Sequence, residues 1–149
     1  MISATFAFFH HLCAFILTAC LIYEFIAYRK ELTLADARRI QRVDLAYGIS
    51  AGLLLVFGTL RVFFFEKGVS FYVHSPFFWG KMAAFAIVGI LSIDPTIRYI
   101  RWNESIRENV APAVSEAVYK RTRILLWLEM VGIVLILLAA PMMARGVGY

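Results

Sequence analysis

Residues 3–28 read SATFAFFHHLCAFILTACLIYEFIAY, twenty-six positions with a single carboxylate, no Lys or Arg, and Arg29-Lys30 directly after them. A helix rises about 1.5 Å per residue and crosses the hydrocarbon core of a bilayer in roughly 20 residues. This run is long enough to do so. It does not have the form of a cleavable leader, because no basic residue precedes it and its apolar part is too long. It is therefore expected to remain as the first spanning helix.

Three more runs of the same kind follow, at residues 45–65, 77–93 and 124–144. The chain has 149 residues, of which 62% are hydrophobic, and one domain covering 1–149 accounts for that length. The fold class expected is all-α, an integral membrane four-helix bundle whose main partner is the lipid bilayer. The formal net charge of +5 would suggest nucleic acid in a water-soluble protein, but the basic residues lie in the connections between spans, so no nucleic-acid partner is expected. Arg29, Lys30, Arg38, Arg39 and Arg42 separate the first two runs, and Arg98, Arg101, Arg107, Lys120, Arg121 and Arg123 separate the last two. The middle connection has Lys67 and the tail Arg145. Short loops rich in Lys and Arg stay in the cytoplasm, which predicts an N-out, C-out topology. Together these point to a multi-pass protein of a bacterial inner membrane.

The connections carry helical signals of their own. Thr33 and Asp36 have capping-box spacing, so the second helix is expected to begin in the cytoplasm and carry its arginines into the membrane. Pro95 is expected to end or bend the third helix. Residues 96–108 then form an amphipathic segment with Ile97, Ile100 and Ile106 toward lipid. Pro112 suits the first turn of the fourth helix. Tyr28, Tyr99, Trp102 and Trp127 are expected at the cytoplasmic interface and Phe71, Tyr72 and Trp79 at the opposite one, as aromatic belts. Gly48, Ala51, Gly52 and Gly58 allow close helix approach or leave room for a flat ligand, packing being the default.

Ionisable groups inside hydrocarbon cost at least about 2.5 kcal/mol each on insertion scales and normally face the bundle interior. His10, Cys13, Leu17, Cys20 and Glu24 step by three and four and share one face, which points inward. Cys13 and Cys20 are about 10.5 Å apart along the axis, too far for a disulfide with each other, and read as small apolar side chains. Glu24, Asp44 and Asp94 lie near cytoplasmic arginines and read as interfacial ion pairs, whereas Glu129, over a turn inside the fourth span, is expected to face inward for packing or proton transfer. In the outer half His10, His11, Arg61 and Lys81 occur together, with His74 and the Met142-Met143 pair on the same side. Two histidines at membrane depth beside two cations call for an anionic ligand. Haem b supplies one: an imidazole ligates the iron, the macrocycle fills a gap beside Gly58, and the propionates pair with Arg61 and Lys81. Copper is the alternative, on His10, His11, His74, Met142 and Met143, and leaves the cations unused.

The Phe8-Phe9-His10-His11-Leu12 segment, the aromatic-x-Lys of Trp79-Gly80-Lys81 and the four-span layout resemble small bacterial four-helix membrane proteins of unknown function. They also resemble the HemJ-type protoporphyrinogen oxidases and, more distantly, the membrane domain of copper-resistance proteins. The HemJ resemblance implies a b-type haem on His10 and a functional Lys81, and raises an oxidoreductase activity toward a porphyrinogen. The doubled histidine and the Leu91-Ser92-Ile93-Asp94 segment depart from that pattern, so fold and haem carry over better than the reaction. The function expected is a haem-binding redox role at the outer half of the membrane, served by a redox partner or a second copy of the chain. Metal-ion handling or transport, with the inner acids as a proton path, and a structural accessory subunit of a membrane complex are the alternatives.

Overall fold

A computed structural model describes residues 2–65 and 69–145; Lys67 and its neighbours Glu66 and Gly68 lie outside the described residues. Every regular element described is a helix: α1 Ile2–Ala27, α2 Leu34–Leu60 continued by a π-helical turn Arg61–Phe65, α3 Val69–Val73, α4 Pro76–Arg101, α5 Asn103–Arg107 and α6 Glu116–Ala144. The four long helices are apolar and long enough to cross a membrane, as the four runs of sequence require. α1 packs along α2 and α4 along α6, with α1 against α6 joining the pairs and α2 against α4 the looser seam.

The outer surface of the bundle is the part that meets lipid. Phe15, Ile26, Leu45, Ile90 and Val134 are all more than 60% exposed, which in water would be a large unpaired apolar surface and in hydrocarbon costs nothing.

The core sits toward the basic end. Tyr28 stacks between Trp102, 6.3 Å away at 7°, and Tyr119, 5.8 Å away at 15°, and Tyr99 packs on the same Trp102 ring at 5.0 Å. Tyr28 and Tyr99 are fully buried, so these rings are core and not a lipid-facing belt as expected; Trp127, 54% exposed, does face outward. Each ring pair of this kind contributes about 0.5–1.5 kcal/mol.

That cluster also explains why α4 does not stop at Pro95. The helix runs through the proline to Arg101, because continuing it delivers Tyr99 and Trp102 to Tyr28, which offsets the ~3 kcal/mol that an internal proline costs. The expected separate amphipathic segment is thereby corrected. Ile97 and Ile100 belong to α4 and point outward, while Ile106 on the short α5 packs on the core. Pro112 precedes α6 and does not open it; Ser115 is the cap, its hydroxyl accepting from the Val118 N–H at 3.4 Å. Two expected starts hold. Thr33 and Asp36 form a full capping box, which begins α2 well before its apolar run, and Ser75-Pro76 opens α4.

The extension of α2 is tied to the chain following α4. Arg38 donates to the Asn109 side chain at 2.9 Å and Gln41 to that of Asn103 at 3.0 Å. Asn109 takes a left-handed backbone, φ 57°, a conformation Asn tolerates better than most residues.

Of the glycines of α2, Gly58 permits the close approach expected, against the His10 ring of α1, and the other two do not. A methyl group at Gly48 or Gly52 would meet nothing within 4 Å. One at Gly132 on α6 would run into the Val88 side chain of α4, so Gly132 is the position that sets the α4–α6 distance. Gly132→Ala is expected to lower stability by about 1–3 kcal/mol and Gly132→Ala with Val88→Ala to recover part of it, whereas Gly48→Ala stays near neutral. Unfolding midpoints in one detergent check this; a neutral Gly132→Ala would refute the contact.

Candidate functional site

α1 turns Cys13, Leu17, Leu21 and Glu24 inward, one and the same face as His10, so the 3–4 periodicity oriented the helix correctly. At the far end from the arginines, α1 is held to α2 by Phe57, whose ring stacks on Phe9 at 5.6 Å and meets Phe6 edge-on at 6.0 Å. This contact places the half-buried His10 ring over Gly58. A Cβ there would lie 3.1 Å from His10 Cε1 and 3.4 Å from its Nδ1, so glycine leaves the ring its seat.

Between α2 and α4 next to that ring is a cleft of about 130 Å³ lined by His10, Gly58, Phe63, Phe78, Lys81 and Met143 among others. Its described walls are apolar apart from His10, Lys81 and Thr59, and contain no carboxylate. Lys81 and Arg61 both lie within electrostatic reach of the His10 ring and of each other. His10 Nδ1 has no hydrogen-bond partner, and the Leu54 backbone is the hydrogen-bonding group in reach of the ring. The Nδ1 atom is enclosed on the Gly58 side of the ring.

The other residues singled out in the sequence are elsewhere. His11 is exposed, its Nδ1 against the Ala7 carbonyl at 2.6 Å, and its ring lies 5.9 Å from that of His10 at 86°. His74 is exposed beyond α3, its Nδ1 against the Ser70 carbonyl at 2.7 Å. Met143 borders the cleft and Met142 points outward. Among the described residues no group of three or more His, Cys, Asp and Glu is placed to hold a metal ion.

The acids of the basic half separate into two kinds, and one expectation is corrected. Asp94 is the interfacial ion pair anticipated, with Arg98 at 2.7 Å and Arg121 at 3.2 Å. Glu24 and Asp44 are not. Glu24 is 2% exposed, and Asp44 accepts from the Thr96 hydroxyl at 2.7 Å. Among the described residues neither forms an ion pair, because the guanidinium of Arg98 is taken by Asp94, that of Arg123 by the Phe25 carbonyl and Arg42 Nε by the Arg38 carbonyl. Glu129 faces inward as expected, 1% exposed, and accepts from the Tyr47 hydroxyl at 3.1 Å. Sequence reading passed over Tyr47 and Thr96; the spacing of Asp44 to Tyr47, three residues on one helix face, was the signal available.

The whole chain matches one family model: residues 2–148 align with the predicted membrane proteins of the DUF2214 family, and the chain belongs to that family. No curated protein and no solved structure matches it.

The cleft makes Lys81 the least accessible of three described lysines. In detergent, an amine-reactive reagent is expected to modify Lys30 and Lys120, whose side chains are 55% and 70% exposed, well before Lys81. Peptide mass spectrometry reads the order, and equal rates would place Lys81 outside the cleft.

Proposed function

We propose that this DUF2214-family chain binds a b-type haem at the His10 cleft and serves a one-electron redox role in the outer half of a bacterial inner membrane. The observation that carries the reading is the pairing of a histidine that has an unused ring nitrogen with a lysine on the same otherwise apolar cleft. A porphyrin brings its own four nitrogens and needs only one or two axial ligands from the protein. The scarcity of other metal-binding side chains around His10 therefore counts against a bare metal ion far more than against haem. His10 would be the axial ligand, and Lys81 and Arg61 the partners of the propionates. Met143, on the same cleft, would be the second soft ligand.

The cleft is smaller than the macrocycle, so binding requires α2 and α4 to part. That seam is the most sparsely packed of the four between neighbouring long helices, and Gly58 keeps the His10 ring at its edge. A haem bound there supplies reversible one-electron chemistry. The chain's own contribution is to hold the iron at the apolar end of the bundle, to neutralise the propionates and to exclude water. Electron delivery then comes from a redox partner or a second copy of the chain, and porphyrinogen oxidation, suggested by the HemJ resemblance, is the enzymatic form of the same proposal. Copper handling has His10 and Met143 in its favour and does not draw on Lys81.

Purified protein from cells supplied with haem precursor is expected to show a Soret band. His10→Ala loses the haem, His11→Ala retains most of it, and Lys81→Ala weakens binding without abolishing ligation. Gly58→Leu, which fills the seat of the ring, lowers occupancy as well. Pyridine haemochrome content per protein measures all four, with circular dichroism as the folding control. A colourless wild type, or full occupancy in His10→Ala, would sink the proposal, and metal analysis showing stoichiometric copper without porphyrin would favour the alternative. Rescue of a strain lacking protoporphyrinogen oxidase tests the enzymatic form separately.

A further inference from the structure

The basic half of the bundle contains a second polar assembly that the haem reading does not use. Glu24 on α1, Asp44 and Tyr47 on α2, Tyr99 on α4 and Glu129 on α6 come together from all four long helices. Asp44, Glu129 and Tyr99 lie within electrostatic reach of the Glu24 carboxyl, and Glu24, Asp44 and Tyr47 within reach of Glu129. No cation is among them. Glu24 and Glu129 are 2% and 1% exposed, and each has a carboxyl oxygen, Oε1, without a hydrogen-bond partner. The Tyr99 hydroxyl, on a fully buried side chain, also has none.

An unpaired carboxylate in such surroundings costs several kcal/mol, and carboxylates placed together repel one another as well. Something must neutralise them. The nearby arginines are directed elsewhere, Arg98 and Arg121 to Asp94, Arg123 to the Phe25 carbonyl and Arg42 to the Arg38 carbonyl, and the described side chains do not form a three-ligand metal site. Protons are what remains.

A route for them is present. A groove of about 620 Å³ opens at the basic end between α2 and α4, lined by Gln41, Arg42, Asp44, Gly48, Thr96 and Tyr99 among others, with Arg42 Nε donating to the Arg38 carbonyl at 3.2 Å. Asp44 and Tyr99 border both this groove and the buried acids. Beyond Tyr47 the next cavity, about 90 Å³, is walled almost wholly by apolar side chains, which offer a chain of waters too few partners. The polar route therefore ends at Glu129 and Tyr47.

We infer that Glu24, Asp44 and Glu129 form a buried proton-holding site that exchanges protons with the basic, cytoplasmic side of the membrane through the groove between α2 and α4. A proton passes from groove water to the Asp44 carboxyl and on to Glu24 and Glu129, with the Tyr99 and Tyr47 hydroxyls accepting on one side and donating on the other. No electron moves and no bond other than O–H forms or breaks.

Infrared spectroscopy of the full chain in lipid nanodiscs tests this at neutral pH. The wild type is expected to show the C=O band of protonated carboxylic acids, shifting when glutamate is labelled with carbon-13 and again on transfer to heavy water. Glu24→Gln and Glu129→Gln each remove part of it. Gly48→Leu, whose side chain enters the groove at a position with nothing within 4 Å, keeps the band but slows its exchange about tenfold or more, the effect of ~1.4 kcal/mol on a barrier. Absence of a label-sensitive band in the wild type would overturn the site without reference to either Gln variant. An undiminished exchange rate in Gly48→Leu, with the band present, would overturn the groove as the entrance. Neither outcome depends on haem content.

Discussion

The constraint behind this structure is the absence of water around the spanning helices. In hydrocarbon each backbone N–H and C=O must be satisfied within its own segment, so the spanning elements are helices. Each polar side chain is then pressed toward the one place where partners exist. The residues that soluble proteins bury are here spread over the outside, with Phe15 and Ile90 among the most exposed in the chain. The interior instead has Glu24, Glu129, Thr122 and Ser50. What orients the helices is the cost of leaving polar groups in lipid, because burying apolar groups gains little when the solvent is itself apolar.

Two regions of different character result. The basic half is tied together by specific contacts: the Tyr28 stack, the Arg38 and Gln41 bonds that hold the chain after α4 to α2, and the pairing of Asp94 with Arg98 and Arg121. The far half has the Phe6, Phe9 and Phe57 ring contacts, a π-helical turn at Arg61–Phe65 and a cleft beside His10. The far half is where a haem is proposed to bind and the basic half where the buried acids are proposed to hold protons; the larger opening, about 620 Å³ against about 130 Å³, is in the basic half. The two are separated by an apolar layer that includes Leu54 and Phe85, which line both the small central cavity and the His10 cleft, so a link between them would have to pass Tyr47.

Much of this was legible in the chain itself. Four apolar runs, the partition of Lys and Arg into two connections, the capping box at Thr33 and Asp36, and the inward face of α1 are all properties of local order and periodicity, and local order survives translation into helices unchanged. The readings that failed share one cause. Pro95 as a helix end, Pro112 as a helix start, Tyr28, Tyr99 and Trp102 as part of a belt, and Glu24 and Asp44 as interfacial ion pairs were each judged by the residue's own preference. In each case a neighbour that the residue's own preference does not reveal decided otherwise: Tyr28 for the path of α4, Thr96 for Asp44, both distant in sequence, and for Pro112 the local cap Ser115.

What the amino-acid order determined alone is that this chain lives in a bilayer as four helices, since hydrophobic length and charge placement act on each segment separately. What only the tertiary structure decided is which polar groups meet: Gly58 as the seat of the His10 ring, Lys81 on the same cleft, and Glu24, Asp44 and Glu129 as one assembly drawn from three helices. Those meetings depend on the rotation and spacing of packed helices, set by contacts such as Gly132 with Val88 and Phe57 with Phe9, and no single segment contains that information.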